Sequence, residues 1–224
     1  MENIRIMGNP IAYVVDTETT GVTNHIEHGH PQVIELAYIP IPQELSKLKS
    51  VVEVKELGDL DKRVRALSIL GSVYRYRPSM NIHKKAREVH GIWMKDLLRC
   101  PRTEDLTLPC MTYMIGHNIQ YDYRCLGKPD NIILICTLRL ARKLDKLLGI
   151  GFTNHKQDTL LLHFYGEEIR YLISGHHEAL YDCVKCILLL NKLLEFIPDI
   201  NTLEELCQFQ KLESIKELRQ ALKD

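Results

Sequence analysis

The stretch Ala12-Tyr13-Val14-Val15-Asp16-Thr17-Glu18-Thr19-Thr20-Gly21 constrains this chain more than any other. Its apolar part forms a buried strand, expected over residues 11 to 17, and that strand runs into two acids. Side chains alternate between the faces of a strand, so Asp16 and Glu18 project from one side and Thr17 from the other. Two carboxylates converging there repel each other and lose hydration, so one tends to take up a proton unless a cation relieves both. A hard divalent ion with oxygen ligands, Mg²⁺ or Mn²⁺, does so. Taken alone, an Asp-x-Glu pair is also the ordinary start of an acidic turn, and residues downstream must decide between the two.

The chain of 224 residues is long enough for one well-buried domain, expected over residues 1–200, with a short helical tail over 201–224. Its 29 basic and 29 acidic residues balance, so any nucleic-acid binding must come from local patches. Seven cysteines, an odd number, without a signal-peptide pattern fit a reduced, cytoplasmic setting better than a disulfide framework. No apolar run approaches the roughly 18 residues of a membrane helix, so no membrane partner is expected. Nothing in the composition bears on oligomeric state.

After Gly21 a second strand is expected at Val33 to Ile39, stopped by Pro40 and Pro42, with Glu35 either near a metal or on a solvated edge. Residues 43 to 68 show no clear period and fit either a strand with a helical excursion or a charged flap. Ser72 to Pro78 alternates apolar and basic residues as a third, meander-closing strand, with Arg75 and Arg77 on one face. Short helices are expected from Ile82 to His90, stopped by Gly91, and from Trp93 to Leu98. Tyr113 to Ile115 forms a strand ending in Gly116-His117-Asn118, and a helix beginning near Tyr121 carries Asp122. Ile132 to Cys136 is a strand covered on both faces. Thr137 to Leu148 is an amphipathic helix on which Arg139, Arg142, Lys143 and Lys146 share one face, either a solvated stripe or a track for a phosphate backbone. The most apolar helix runs from Ala179 to Phe196, and a capping signature at Thr202 opens a shorter one.

His177 and Asp182 are five residues apart, about 140° around a helix, so one regular helix cannot turn both toward one site. His177 therefore belongs in the preceding loop and Asp182 in the first turns. A histidine so placed titrates near neutrality and can deprotonate a water. Asp16, Glu18, Asp122, Asp182 and His177 together supply four carboxylates and a base. Two-metal phosphodiester hydrolysis needs this set: two cations roughly 3.5–4 Å apart clamp the attacking and leaving oxygens, and the carboxylates offset their charge.

Three blocks, Asp16-Thr17-Glu18-Thr19-Thr20-Gly21, then Gly116-His117-Asn118 with Asp122, then His177-x-Ala179-x-x-Asp182, occur in the order found in the DEDDh superfamily of 3′–5′ exonucleases, which the chain resembles over roughly residues 12 to 196. The resemblance implies an α/β, ribonuclease H-like fold: a mixed β-sheet flanked by α-helices. It also implies Asp16, Glu18, Asp122 and Asp182 as ligands of two Mg²⁺ or Mn²⁺ ions and His177 as general base. Thr19, Gly21 and Val22 would lie against the terminal nucleotide, with His117 and Asn118 nearby. Hydrolysis of DNA from 3′ ends to nucleoside 5′-monophosphates is the activity so implied; trimming of RNA 3′ ends, or binding of a nucleic-acid end or a polymerase without cleavage, are the alternatives. Cys183-x-x-Cys186 beside His176 and His177 looks like half a zinc site, but no second pair matches it, and on a helix it reads as an apolar ridge. Trp93 and Tyr123 fit core packing better than stacking on a base.

Overall fold

The computed structural model describes residues 11–21, 30–52, 60–174, 177–212 and 217, with side chains omitted for 49–52. Five strands form one sheet: β1 (Ala12–Thr19), β2 (Val33–Pro40), β3 (Ser72–Arg75), β4 (Tyr113–Gly116) and β5 (Ile133–Cys136). Their order is β3-β2-β1-β4-β5; β3, β2 and β1 form an antiparallel meander, and β1, β4 and β5 run parallel. With helices on both faces, this is the mixed, helix-flanked sheet of a ribonuclease H-like fold. The helices are α1 (Leu45–Val52), α2 (Leu60–Ile69), α3 (Lys84–His90), α4 (Met94–Leu97), α5 (Gln120–Cys125), α6 (Thr137–Leu148), α7 (Gln157–Tyr165), α8 (Arg170–Ile173), α9 (Ala179–Leu194) and α10 (Leu203–Lys211).

The period-two pattern of β1 divides the core. Ala12 and Val14 face α9 in the larger apolar cluster, whereas Tyr13 and Val15 face the opposite side with Met114 and Ile119. α9 is apolar nearly all round because it is enclosed by the sheet and by α1, α2, α6 and α7. Cys183 and Cys186 lie inside this packing, the Cys183 thiol against the carbonyls of Val14 and Ala37, and all seven cysteines are free thiols. They form the apolar ridge expected of them. β4 approaches β1 closely because Gly116 has no side chain; a Cβ there would lie 2.6 Å from Ile119 and 3.0 Å from the Val15 carbonyl oxygen. That approach brings the loop after β4 to the end of β1.

Several expectations change. Residues 45–52 and 60–69 are helices, α1 and α2, rather than a strand or flap; residues 53–59 lie outside the described residues. Leu45, Leu48, Leu60, Val64 and Leu67 are buried, so packing against α9 holds two helices whose patterns are too short to stand out in sequence. Leu203, Leu206 and Phe209 of α10 join the same core cluster as α9. The final helix expected toward Asp224 lies outside the described residues except for 217. Trp93 is half exposed with the Arg87 guanidinium over its ring, whereas Tyr123 packs in the second core as expected. No helix among the described residues is long and apolar enough to cross a membrane.

Candidate active site

β1 stays regular through the acids, so Asp16 and Glu18 continue the row of Ala12 and Val14 past the end of the apolar packing, toward the start of α9. α9 begins at Ala179 after an extended Glu178, which leaves His177 in the loop and Asp182 in the first turn, the placement their spacing required. Asp16, Glu18 and Asp182 each present an oxygen within 4.8 Å of the others. His177 Nδ1 lies 2.9 Å from Asp182 Oδ2, and the His177 main-chain N–H donates to the Val89 carbonyl at 3.1 Å, so the end of α3 helps to fix the loop.

Asp122 arrives from the other face. It sits in the first turn of α5, which packs on the side of β1 where Thr17 points, and it is buried. Thr17 donates its main-chain N–H at 3.0 Å and its hydroxyl at 2.7 Å to Asp122 Oδ1. Asp122 is close enough to raise the pKa values of Asp16 and Glu18, yet it is not one of the three carboxylates whose oxygens converge.

Electrostatics mark the cluster as short of positive charge. Loss of hydration, then repulsion from Asp122, Asp182 and Glu18, pushes the Asp16 carboxyl well above its usual value. Burial, then Asp182 and Glu35, raises Glu18 to about 9. Burial also raises Asp122 to about 7, against the two hydrogen bonds from Thr17. Asp182 goes the other way: burial opposes ionisation, but the His177 hydrogen bond and the Lys185 charge hold its carboxyl below the usual range. The hydrogen bond to Asp182 correspondingly raises His177. Three converging carboxylates, of which Asp16 and Glu18 are pushed toward the protonated form by burial and mutual repulsion, make a donor set of oxygens alone that fits a hard divalent ion.

Of two further charged residues at this site, Glu35 was left between a metal neighbour and a solvated edge by its sequence, and Lys185 was not singled out. Glu35 is buried rather than on a solvated edge: Arg75 donates to its Oε2 at 2.7 Å, and its Oε1 accepts the Ala179 N–H at 3.2 Å, capping α9. Arg75 is thereby paired, while Arg77 donates to the Leu98 carbonyl at 3.1 Å. Lys185 is buried on α9, in direct ionic contact with Asp182 Oδ1 and 3.4 Å from Asp158 Oδ1. Burial alone would lower its pKa, but Asp182 and Asp158 outweigh that and raise it. The available signal was a lone acid or base inside an otherwise apolar run, a pattern that is stable only with a partner.

Two depressions flank the carboxylates. A pocket of about 220 Å³ beside Glu18 is walled by Thr19, Gly21, Tyr121, His83, Ala86 and Val89. Here the Thr19 and Tyr121 hydroxyls lie 2.7 Å apart, and both donate to the Gly21 carbonyl, at 2.9 and 2.7 Å. Val22 lies outside the described residues. On the other side, a cleft of about 900 Å³ is lined by Asp16, His177 and Asp182 with His117, Asn118, Arg142 and Lys156. His117 Nε2 donates to the His155 carbonyl and Nδ1 meets Thr137 Oγ1, each at 3.0 Å; burial lowers its pKa to about 4, so the ring is neutral.

The basic stripe of α6 divides. Arg142 and Leu138, one turn apart, line the cleft. Arg139 and Lys146 are exposed away from it. Lys143 does not join a track: its ammonium donates to the carbonyls of Phe209, Gln210 and Leu212 at 2.8, 2.7 and 2.5 Å, holding the end of α10. Neighbouring residues differ by about 100° around a helix, so the two flanks of one stripe meet different surroundings.

No protein-family model matches the chain, and no curated protein matches it by sequence. Among solved structures, exonuclease X in complex with 5′-overhanging duplex DNA is similar at a TM-score of 0.55 and 19% identity, over 94% of this chain and 99% of that one. The Neurospora crassa Pan2 catalytic unit, comprising protease and nuclease domains, is similar at a TM-score of 0.51 and 13% identity, over 96% of this chain and 32% of that one. At these identities the likeness is one of fold, and it agrees with the ribonuclease H-like reading.

Proposed function

We propose that the protein is a metal-dependent 3′–5′ exonuclease that hydrolyses DNA from 3′ ends to nucleoside 5′-monophosphates, with two Mg²⁺ or Mn²⁺ ions and His177 as general base. The observation that carries this reading is the convergence of Asp16, Glu18 and Asp182, within 4.8 Å, on the face to which His177 is bonded. When bound there, divalent ions supply positive charge to the scissile phosphate and make a water easier to deprotonate. Asp16, Glu18 and Asp182 would hold them, with Asp122 alongside.

The remaining steps belong to the chain's own residues. The bond to Asp182 occupies His177 Nδ1, so Nε2 is the nitrogen that takes the proton from the attacking water. The water oxygen forms the new bond to phosphorus, and the bond to the 3′ oxygen of the preceding nucleotide breaks, the oxygen leaving with the electron pair and taking a proton from solvent to become the new 3′-hydroxyl. Thr19, Gly21 and Tyr121 wall the pocket that would receive the departing nucleotide, and Arg142 and Lys156 would meet phosphates in the cleft. The DNA complex of exonuclease X supports DNA as the first substrate to try.

The test is digestion of 5′-labelled single-stranded DNA, duplex DNA and matched RNA with Mg²⁺, Mn²⁺ or EDTA, alongside Asp182→Asn. A metal-dependent ladder shortening from the 3′ end and absent in the variant is the expected result. Digestion of RNA alone would reassign the substrate. No product from any arm with folded protein would overturn the catalytic reading in favour of a binding module.

A further inference from the structure

The proposed chemistry leaves Lys185 without a task. Its side chain is 4% exposed, and its neighbours on α9, Cys183, Val184, Cys186 and Ile187, are buried and need no cation beside them. Burying an ammonium is unfavourable by several kcal/mol unless counter-charges recover it. Here the counter-charges are Asp182, in direct contact, and Asp158, whose Oδ1 is 3.4 Å away and whose side chain is 35% exposed at the cleft. Both oxygens of Asp182 are thus engaged, Oδ2 by His177 and Oδ1 by Lys185. Yet Asp182 is also one of the three converging carboxylates. An ion entering that cluster must share Asp182 with a buried positive charge that repels it through a poorly screened interior.

We infer that Lys185 is a tethered cation that competes with an incoming divalent ion for Asp182 and is received by Asp158 when the ion binds. This rests on the reading of Asp16, Glu18 and Asp182 as an ion site. Lys185 is a positioning residue in this account: without the ion it neutralises Asp182 and keeps the carboxylates from driving α9 away from β1. With the ion present, its ammonium needs only a short shift, because Asp158 already lies within reach. The consequence is a site that binds its divalent ion more weakly than the same carboxylates would without Lys185.

The test is Mn²⁺ binding to the substrate-free full chain, read from the electron paramagnetic resonance signal of free Mn²⁺. Lys185→Met, which keeps the volume and removes the charge, is expected to tighten binding at least about tenfold. Asp158→Asn is expected to weaken binding severalfold in the wild-type background, where it removes the alternative partner of Lys185, and to change it less than about twofold with Lys185→Met present. An unchanged or weakened affinity in Lys185→Met overturns the competition, and equal effects of Asp158→Asn in both backgrounds overturn the hand-over. If Lys185→Met does not fold, Asp158→Asn decides alone, and unchanged affinity refutes the proposal. Asp16→Asn separates the two readings: if it binds Mn²⁺ like wild type, the ion site itself fails; if it loses binding while Lys185→Met matches wild type, only the role of Lys185 fails.

Discussion

Replacing Thr17 with valine isolates one atom at the centre of the site. The substitution preserves shape and removes the hydroxyl that donates to Asp122 Oδ1 at 2.7 Å, leaving only the main-chain donor at 3.0 Å. Both side chains are buried, so water does not replace the lost bond. A hydrogen bond to a charged group contributes about 1.5–3 kcal/mol, against about 0.5–1.5 kcal/mol for a neutral pair. The effect therefore depends on whether Asp122 is ionised. Its carboxyl is raised to about 7 in the fold, from 3.8, and losing the hydroxyl, whose bond is about 1–1.5 kcal/mol stronger to the charged form, moves it up by about one further unit at 1.36 kcal/mol.

The folded protein thus holds a proton that the unfolded chain releases, so stability falls as pH rises between those two values. In Thr17→Val this fall extends to higher pH. Urea unfolding in EDTA should show Thr17→Val less stable than wild type by about 0.5–1.5 kcal/mol near pH 5 and by about 1.5–3 kcal/mol near pH 9. The same difference at both pH values, or none, would refute the account of Asp122 as a carboxylate held by Thr17.

His177→Ala should lower single-turnover hydrolysis about 10²- to 10⁴-fold, as loss of a general base does, without changing the melting temperature by more than a few degrees. Because the Asp182 hydrogen bond raises the His177 pKa, the acid limb of the wild-type rate profile should lie above the ordinary histidine value of 6.5, with activity lost as pH falls through it. Arg142→Ala should raise KM and flatten its salt dependence, whereas Lys143→Met should leave KM alone and lower stability by about 1–3 kcal/mol through the carbonyls it abandons. If Lys143→Met instead weakens substrate binding like Arg142→Ala, the division of the stripe is wrong.

Much of the fold was legible where a periodic pattern coincided with a single kind of burial. The alternation of β1 put Asp16 and Glu18 together, and the five-residue spacing of His177 and Asp182 placed the start of α9 between them. α6 and α9 were clear from their repeats, and Gly91 ends α3 in the left-handed conformation expected of a stop. α1 and α2 were not legible, because short helices with mixed charge are held by tertiary packing rather than by their own pattern.

The sequence by itself determined the order of the strands' chemistry: which acids share a face, where the histidine falls, and that oxygen donors would meet at the end of β1. Those facts follow from local geometry, since two residues along a strand or five along a helix boundary fix direction without knowledge of any neighbour. Only the tertiary structure decided what each charge faces. It sent Lys143 to α10 and Arg142 to the cleft from one helix face, buried Glu35 as the cap of α9, set Asp122 on Thr17 rather than among the converging three, and placed Lys185 against Asp182. The energy of a buried charge is set by partners distant in sequence, and the pattern of its own segment does not encode which partner will be there.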